Sequence, residues 1–217
     1  MVGLARPQAG CVRQNLDWLK MSSNYAIKRD LEELVQMSDK LHEYMLSDAL
    51  YMPVSGGFFR GSSTPQLTTG AFLLRRRRLS RLRESLDAGQ RALLDATLKQ
   101  HDDMQREWRL HYEKKLQQEV NSRLKMMVAF FRECSESPRD CAAAYPVEAM
   151  RRTIVQEILL AMDEFDYDKS ELLPKVQHCD AGLRQYLRPS AFIWAPLLEP
   201  LYPRAIFWWL FARPEAG

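Results

Sequence analysis

Apolar side chains recur at helical spacing through a stretch of the chain that contains no proline, from Asp87 to Cys134. When successive residues are placed about 100° apart, one face carries Leu93, Thr97, His101, Met104, Trp108 and Tyr112. Asp87 with Gln90 three residues later is a variant of the capping box that marks a helix start, and Pro138 marks the stop. The pattern predicts one long helix over residues 87–135.

The apolar stripe changes position near the middle of this helix. The first face would continue through Lys115 and Glu119, which are charged, so the apolar set moves round the helix axis. Its second half consists of Leu116, Val120, Leu124, Met127, Phe131 and Cys134. We expect the two halves to contact different segments, or the helix to bend between Tyr112 and Leu116. A straight two-helix coiled coil is disfavoured.

Shorter periodic segments predict further helices around the long one. They cover residues 24–51, 70–86, 146–165 and 172–187. Thr68 or Thr69 is expected to cap the second of them, and Pro146 suits the first position of the third. With only 9 glycines and no convincing alternation at period two, the chain is predicted to be all-α. The predicted architecture is a helical bundle organised on one long central helix.

The remaining segments carry no helical pattern. Residues 1–23 are predicted to be a disordered N-terminal extension to a single helical domain over residues 24–217. Residues 53–70 concentrate Gly, Ser, Thr and Pro, which predicts a loop. Residues 188–217 hold three of the five tryptophans and five of the eleven prolines. We expect this last segment to form a Pro- and aromatic-rich C-terminal strap across the bundle.

The overall composition is typical of a soluble globular protein, with 46% hydrophobic and 27% charged residues. The net charge of +3 is too small to imply a nucleic-acid partner by itself. Its distribution is uneven, however, because seven arginines and no acidic residue lie between Ala49 and Arg83. This local excess of positive charge makes the segment a candidate anion-binding site.

The candidate anion-binding residues are Arg60, Arg75, Arg76, Arg77, Arg78, Arg81 and Arg83. Arg75 falls in the middle of the apolar stripe of its helix, where an unpaired charge is costly and must meet a carboxylate or another anion. Suitable anions are a nucleic-acid phosphate, an acidic lipid surface or an acidic protein, and the amides at the helix start could contribute. The alternative is a solvated arginine-rich face with Arg75 paired internally.

Aromatic side chains of the C-terminal strap form a second candidate site. Trp and Tyr dominate the energetics of protein interfaces, so an exposed set of them would suit a protein partner. The candidate interaction surface consists of Trp194, Tyr202, Trp208 and Trp209. The alternative is that these side chains only hold the strap against the bundle.

Cysteine usage and the terminal sequences bear on the compartment. The four cysteines contain no Cys-x-x-Cys pair, which fits a reducing cytosol. Free buried thiols are therefore predicted for Cys134 and Cys141, although the two flank the turn at Pro138. No secretory pattern opens the chain, and prolines interrupt the apolar C-terminal segment. We predict a cytoplasmic protein without a transmembrane segment.

The sequence carries no signature of catalysis or metal binding. Glu-x-x-His pairs and a Gly-x-Ser-x-Gly motif are absent, so no catalytic residue, metal ligand or cofactor is predicted. His101 is expected to be a core histidine that is hydrogen-bonded to a neighbour. The leading hypothesis is a non-enzymatic helical protein that acts through protein–protein interaction, scaffolding or self-association. The alternative is binding of nucleic acid or an anionic surface through the arginine-rich helix at residues 70–86.

Overall fold

Helices make up most of the computed structural model, which describes residues 25–54 and 66–215. In chain order they are α1 (Ile27–Leu46), α2 (Thr69–Arg81), α3 (Ala88–Glu107), α4 (Arg109–Glu136), α5 (Pro138–Glu164) and α6 (Leu173–Tyr186). The predicted all-α class is confirmed. None of the helices in these two ranges has the length and apolar composition that crossing a bilayer requires. The predicted extension at residues 1–23 and most of the predicted loop at 53–70 lie outside the described residues.

Two short antiparallel strand pairs supplement the helices. β1 (Met52–Pro53) pairs with β2 (Gln66–Leu67) just before α2. β3 (Leu187–Pro189) pairs with β4 (Ala212–Pro214), which returns the end of the strap to the end of α6. Strands of two or three residues are too short to show alternation at period two, so the sequence pattern did not predict them.

The C-terminal strap lies across the bundle between β3 and β4, as its prolines and tryptophans predicted. It contains two 3-10 turns, Pro196–Leu201 and Trp208–Phe211. The indole Nε1 of Trp209 donates to Thr153 Oγ1 on α5 (2.9 Å), and the guanidinium carbon of Arg152 lies 3.9 Å from the centre of the Trp209 ring. These contacts fasten the strap to α5.

The predicted long helix is divided at Trp108 into two helices, α3 and α4. The backbone φ of −108° and ψ of 32° at Trp108 depart from helical values, so α3 ends at Glu107 and α4 begins at Arg109. The bend that was expected between Tyr112 and Leu116 therefore occurs about one helical turn earlier. No proline or glycine marks the break, so the sequence offered no local signal for its position.

Different segments cover the two halves, as the rotating stripe predicted. α3 packs mainly against α1, whereas α4 packs mainly against α5 and α6. In α3 the buried leucine is Leu94, and Leu93 is 44% exposed, so the predicted face was wrong at this position by one residue. Thr97, His101 and Met104 are buried as predicted.

Lys115 and Glu119 of α4, which were expected to leave the core, are buried beside the apolar positions, and so is Arg123. Lys115, Glu119 and Arg123 each expose at most 7% of their surface. Lys115 Nζ donates to the main-chain oxygens of Ser47 (2.7 Å) and Ala49 (2.6 Å), just beyond the end of α1. Both faces of α4 are therefore buried, the apolar one and the charged one. The charged side chains can be buried because groups on neighbouring segments form hydrogen bonds with them.

The carboxylate of Glu119 joins α4 to the first residues of α2. Its Oε2 accepts hydrogen bonds from the Gly70 amide (2.8 Å) and Thr69 Oγ1 (3.1 Å). Its Oε1 accepts from Thr68 Oγ1 (2.7 Å) and from Arg123 Nε (2.8 Å). The helix start that was expected to contribute amides to an external anion is therefore occupied by a carboxylate of the chain itself.

The close contact of α2 with α4 and α5 requires a glycine at its second residue. A Cβ atom at Gly70 would lie 2.4 Å from Ile154 Cγ2 and 2.7 Å from Glu119 Oε1. Only a residue without a side chain lets the backbone come this near. Thr68 Oγ1 also accepts from the Ala71 amide (3.0 Å), so Thr68 is the helix cap, one of the two that the sequence allowed.

Cys134 and Cys141 form a disulfide, so the prediction of free thiols is wrong for this pair. α5 begins at Pro138 instead of Pro146, and α4 and α5 meet in a tight hairpin at Ser137. The hairpin brings the Cα atoms of the two cysteines to 4.7 Å, within the range that a disulfide requires. Cys179, in contrast, is a free and buried thiol.

We expect Glu119→Gln to destabilise the fold strongly, because Arg123 would lose its counter-charge in the core. Removing one partner of a buried ion pair costs about 3–5 kcal/mol. Urea unfolding followed by circular dichroism measures this loss. The matched control is Glu107→Gln, an exposed glutamate at the end of α3, for which we expect a change within about 0.5 kcal/mol. Equal effects of the two substitutions would contradict the role assigned to Glu119.

Reduction of the bond between Cys134 and Cys141 is expected to lower the free energy of unfolding by about 2–3 kcal/mol, as loop-closure entropy predicts for a short covalent loop. Urea unfolding with and without reductant measures the change, and the double variant C134A/C141A should not respond to the reductant. Peptide mapping without reduction should find the two cysteines in one linked pair. Recovery of both as alkylated free thiols would show that the bond is absent.

Candidate functional site

The arginines of α2 lie among carboxylates of neighbouring helices. Arg75 Nε donates to Glu33 Oε2 (3.1 Å) and lies 3.4 Å from Asp30 Oδ1, and both acidic residues belong to α1. Arg75 is therefore paired inside the chain, which is the alternative that the sequence left open. Its position in the apolar stripe needs no external anion.

Arg78 is enclosed by aromatic side chains and is buried. Its Nε donates to Tyr202 Oη (2.8 Å), and its guanidinium carbon lies 4.9 Å from the centre of the Trp194 ring and 5.6 Å from that of Tyr25. Asp30 Oδ2 lies 3.8 Å from Nη1. This arginine joins α2 to the strap and to the beginning of the described chain, so it stabilises the fold and is not accessible to a ligand.

Three other predicted arginines have dissimilar surroundings. Arg83 pairs with Asp95 at the surface, with Nη2 2.7 Å from Oδ2. Arg81 is exposed and makes no ion pair with another described residue. Arg60 lies outside the described residues. The predicted arginines within residues 66–215 therefore do not form one continuous basic face.

Arg76, Arg77 and Arg81 line one pocket of about 250 Å³ where α2, α3 and α5 meet. Its apolar wall consists of Leu73, Leu98, Leu160 and Ala161. Its other polar side chains are Ser80, Asp102, Glu157 and Glu164. The pocket thus brings three of the predicted anion-binding residues together with three carboxyl groups.

Arg76 is neutralised at one side of this pocket. Its Nη1 and Nη2 donate to the two carboxylate oxygens of Glu164 (3.0 and 2.7 Å), and Asp102 Oδ1 lies 3.8 Å from Nη2. The centre of the Phe165 ring is 5.7 Å from the guanidinium carbon. A bidentate pair of this kind fixes the geometry of both partners. Arg76 therefore shapes the pocket without presenting an unpaired charge.

Glu157 is the buried carboxyl group of the pocket, with 4% of its side chain exposed. It makes no hydrogen bond to another described residue, and its Oε1 lies 3.4 Å from Arg77 Nε without the geometry of a hydrogen bond. Burial raises the pKa of Glu157 to about 7, against the opposing charges of Arg77 and Arg78. Near neutral pH the carboxyl group is therefore protonated in a large fraction of molecules.

Arg77 has hydrogen-bond donors that the fold leaves unused. Its Nη2 donates a long bond to the Leu201 carbonyl oxygen (3.4 Å), and its guanidinium carbon lies 5.2 Å from the centre of the Phe207 ring. Its Nε has no hydrogen-bond partner among the described residues. Because a guanidinium group carries five N–H donors, Arg77 retains capacity for a ligand.

His101 lies beside the pocket and belongs to the core. Its Nε2 is 2.8 Å from Tyr112 Oη, its Nδ1 is 3.0 Å from Asp102 Oδ1, and its ring stacks on Phe72 with centres 4.6 Å apart. Burial lowers the pKa of His101, so the imidazole is neutral at pH 7. The predicted hydrogen-bonded core histidine is confirmed. Within residues 25–54 and 66–215, no group of three or more His, Cys, Asp and Glu side chains is placed to hold a metal ion.

The predicted interaction surface is not made of exposed aromatic side chains. Trp194, Tyr202 and Trp209 are buried, and Trp208 is half-buried with the Arg184 guanidinium carbon 4.4 Å from its ring centre. Large aromatic rings bury much apolar surface, and here they close the core beneath the strap. Their burial fits the alternative in which these side chains hold the strap against the bundle.

Comparison with known proteins adds no relative to this picture. No protein-family model, no curated protein and no solved structure matches the chain.

Glu157 is a pocket residue that the sequence analysis missed. It lies in the helix predicted over residues 146–165, three residues after Ile154 and directly before Ile158, which both belong to the apolar stripe of that helix. A carboxyl group beside an apolar stripe is a signal for burial that could have been used. Its juxtaposition with Arg77, eighty positions earlier in the chain, depends on tertiary packing and has no local signal.

We expect Glu157→Gln to stabilise the protein at alkaline pH and to have little effect at acidic pH. Because the pKa of Glu157 is raised from 4.5 to about 7 in the fold, its contribution to stability is complete below pH 4.5 and is lost as the pH rises through 7. Ionisation then costs at most about 3 kcal/mol near pH 8. Urea unfolding at about pH 4 and pH 8 measures the difference. A variant no more stable than the natural protein at the higher pH would contradict this account.

Proposed function

We propose that the protein binds a small organic anion in the pocket between α2, α3 and α5. The observation that carries this proposal is a pair of guanidinium groups, Arg77 and Arg81, that line the pocket without a hydrogen-bonded carboxylate. Arginine donates parallel N–H bonds to the oxygens of an oxyanion, and this geometry suits carboxylates and phosphate monoesters alike. The proposal describes a binding protein and assigns it no reaction.

The charge of the lining supports a ligand with one negative charge. Three arginines face three acidic side chains, so the lining is neutral when Glu157 is ionised and carries one positive charge when Glu157 is protonated. A monoanion would balance the second state. A polyanion would introduce several uncompensated charges into a half-enclosed pocket, which is costly.

The size and the apolar wall support a ligand with a short hydrocarbon part. A volume of about 250 Å³ is slightly below the range of pockets that hold drug-sized molecules. Leu73, Leu98 and Leu160 come from three different helices and offer apolar surface beside the guanidinium groups. A small carboxylate with a few carbon atoms fits this combination, as does a phosphate monoester in its singly charged form, which persists below about pH 6.

The functions suggested by the sequence alone stay predictions. Protein–protein interaction was inferred from the long helix with its two-faced stripe, the absence of catalytic motifs and the aromatic segment, whose side chains lie largely in the core. Nucleic-acid or lipid-surface binding was inferred from arginines that mostly pair with carboxylates of the chain. A cytoplasmic location also stays a prediction, and the disulfide between Cys134 and Cys141 argues against a reducing compartment. No contact described above favours protein, nucleic-acid or lipid-surface binding over the binding of a small anion in the pocket.

Calorimetric titration with butyrate, benzoate and phenyl phosphate, at about pH 6 and low ionic strength, tests the proposed function. We expect at least one anion to bind, and the neutral analogues butyramide and benzamide not to bind. Arg81→Gln should weaken binding about tenfold or more, because a hydrogen bond to a charged group contributes about 1.5–3 kcal/mol. Binding by none of the three anions, or equal binding by the amides, would refute the proposal.

The matched control for this titration is Arg83→Gln. Arg83 is also an arginine near the end of α2, but it pairs with Asp95 and does not line the pocket. Its substitution removes the same charge from the same part of the surface, so it should leave the affinity for the anion unchanged. An equal loss in both variants would mean that the anion responds only to the general surface charge.

A further inference from the structure

Glu157 has hydrogen-bonding capacity that no described side chain uses. It is almost completely buried in the lining of the pocket, and its nearest charged neighbour, Arg77, approaches without forming a hydrogen bond. Buried polar groups in folded proteins nearly always have a partner, and exceptions call for a bound molecule or a chemical role. The position of this group inside a pocket points to a ligand as the missing partner.

The charges around Glu157 come from each element packed against this part of α5. α2 contributes Arg77, at 3.4 Å, and Arg78, whose charge is shared with Asp30 of α1 at 3.8 Å. The strap contributes Tyr202, and burial raises the pKa of its phenol to about 12, so that it stays neutral. Arg77 is therefore the close positive charge that favours ionisation of Glu157, in opposition to burial. Its own hydrogen bond, to the Leu201 carbonyl oxygen, is long at 3.4 Å.

The other carboxylates of the pocket are already balanced. Asp102 of α3 lies 3.8 Å from Arg76, and Glu164 of α5 forms the bidentate pair with the same guanidinium group. The state of charge of the pocket is therefore decided by Glu157, which is the one acidic group of the lining that is buried without a hydrogen bond to the described chain.

We propose that an anion and a proton bind to this pocket together, and that Glu157 holds the proton. This inference rests on the anion-binding function proposed above. The protonated carboxyl group donates its O–H to one oxygen of the ligand, while Arg77 and Arg81 donate N–H groups to the ligand oxygens. The proton is taken from solvent, so no bond of the ligand is made or broken.

The proton is required because of the charge that the ligand brings. An ionised Glu157 would place a carboxylate beside the oxyanion, away from bulk water, and two like charges at hydrogen-bond distance cannot both persist. Protonation of Glu157 converts this repulsion into a short donor–acceptor contact. It also satisfies the unused hydrogen-bonding capacity of the buried carboxyl group.

A zwitterionic ligand would require Glu157 to be ionised. Its ammonium group would bind the ionised carboxylate and would displace the proton, so its affinity would rise with pH. A monoanion that binds with a proton must instead lose affinity as the pH rises. The direction of the pH dependence therefore distinguishes the two classes of ligand.

The test is a calorimetric titration of the full chain with butyrate between about pH 6 and pH 9, with 4-aminobutyrate as the zwitterionic counterpart. We expect the affinity for butyrate to fall about tenfold per pH unit above 7, where Glu157 titrates in the free protein. Titrations near pH 8 in two buffers of different ionisation enthalpy should show the uptake of nearly one proton per bound butyrate.

Substitutions at Glu157 separate its role from the general effect of pH. Glu157→Gln is neutral at every pH and still donates a hydrogen bond, so it should bind butyrate at pH 9 as the natural protein does at pH 6. Glu157→Leu removes the donor and should bind weakly throughout. Glu171→Gln, an exposed carboxylate outside the pocket lining, should keep the pH dependence of the natural protein.

Each remaining outcome overturns the inference in a recognisable way. If butyrate binds and Glu157→Gln loses affinity with pH as the natural protein does, the proton is held elsewhere, and anion binding itself stands. If affinity rises with pH, or if 4-aminobutyrate alone binds, Glu157 acts as an ionised acceptor. If neither the natural protein nor Glu157→Gln binds a carboxylate at any pH, the proposed function fails together with the inference.

Discussion

The buried carboxylate of Glu119 determines where the arginine-rich helix lies. It accepts hydrogen bonds from the Gly70 amide and from the hydroxyl groups of Thr68 and Thr69, and it is neutralised by Arg123. One side chain of α4 therefore holds the first turn of α2 against the centre of the bundle. Because the first turn is fixed in this way, the positions of the guanidinium groups further along α2 depend on Glu119, including those that line the pocket. A charge buried so completely is stabilising only while all of its partners remain in place.

Four of the five arginines of α2 divide into two groups because of the elements that surround the helix. Arg75 and Arg78 face α1 and the strap, where carboxylates and aromatic rings enclose them, and their charge serves the assembly of the fold. Arg77 and Arg81 line the pocket at the junction with α3 and α5, where the carboxyl group near Arg77 is buried and makes no hydrogen bond with it. Adjacent arginines thus meet different surroundings on different sides of one helix, since successive residues point about 100° apart.

Helical periodicity was sufficient to predict the all-α class, the caps of α2 and α3, and the core position of His101, because these depend on residues close together in the sequence. The break at Trp108 has no proline or glycine, and the burial of Glu119 depends on donors about fifty positions away, so neither had a local signal. The disulfide was missed because the absence of a Cys-x-x-Cys pair was taken to indicate a reducing cytosol, although Cys134 and Cys141 flank the turn at Pro138. Among the pocket residues, the arginines could be predicted from their clustering in the sequence. Glu157 could not, because its place beside Arg77 depends on the packing of α2 against α5.

Arg78 also connects the two ends of the described chain. Tyr25 comes from the beginning of that chain and Trp194 and Tyr202 from its final segment, and all three lie around the same guanidinium group. Chain ends usually fray first, since they have few neighbours. Here Tyr25 on one side and Trp194 and Tyr202 on the other enclose the guanidinium group of Arg78 and keep water from it. Detachment of either segment would hydrate Arg78 and weaken its contacts with the other segment. One buried guanidinium group thus links the first described residue with the strap, which lie far apart in the sequence.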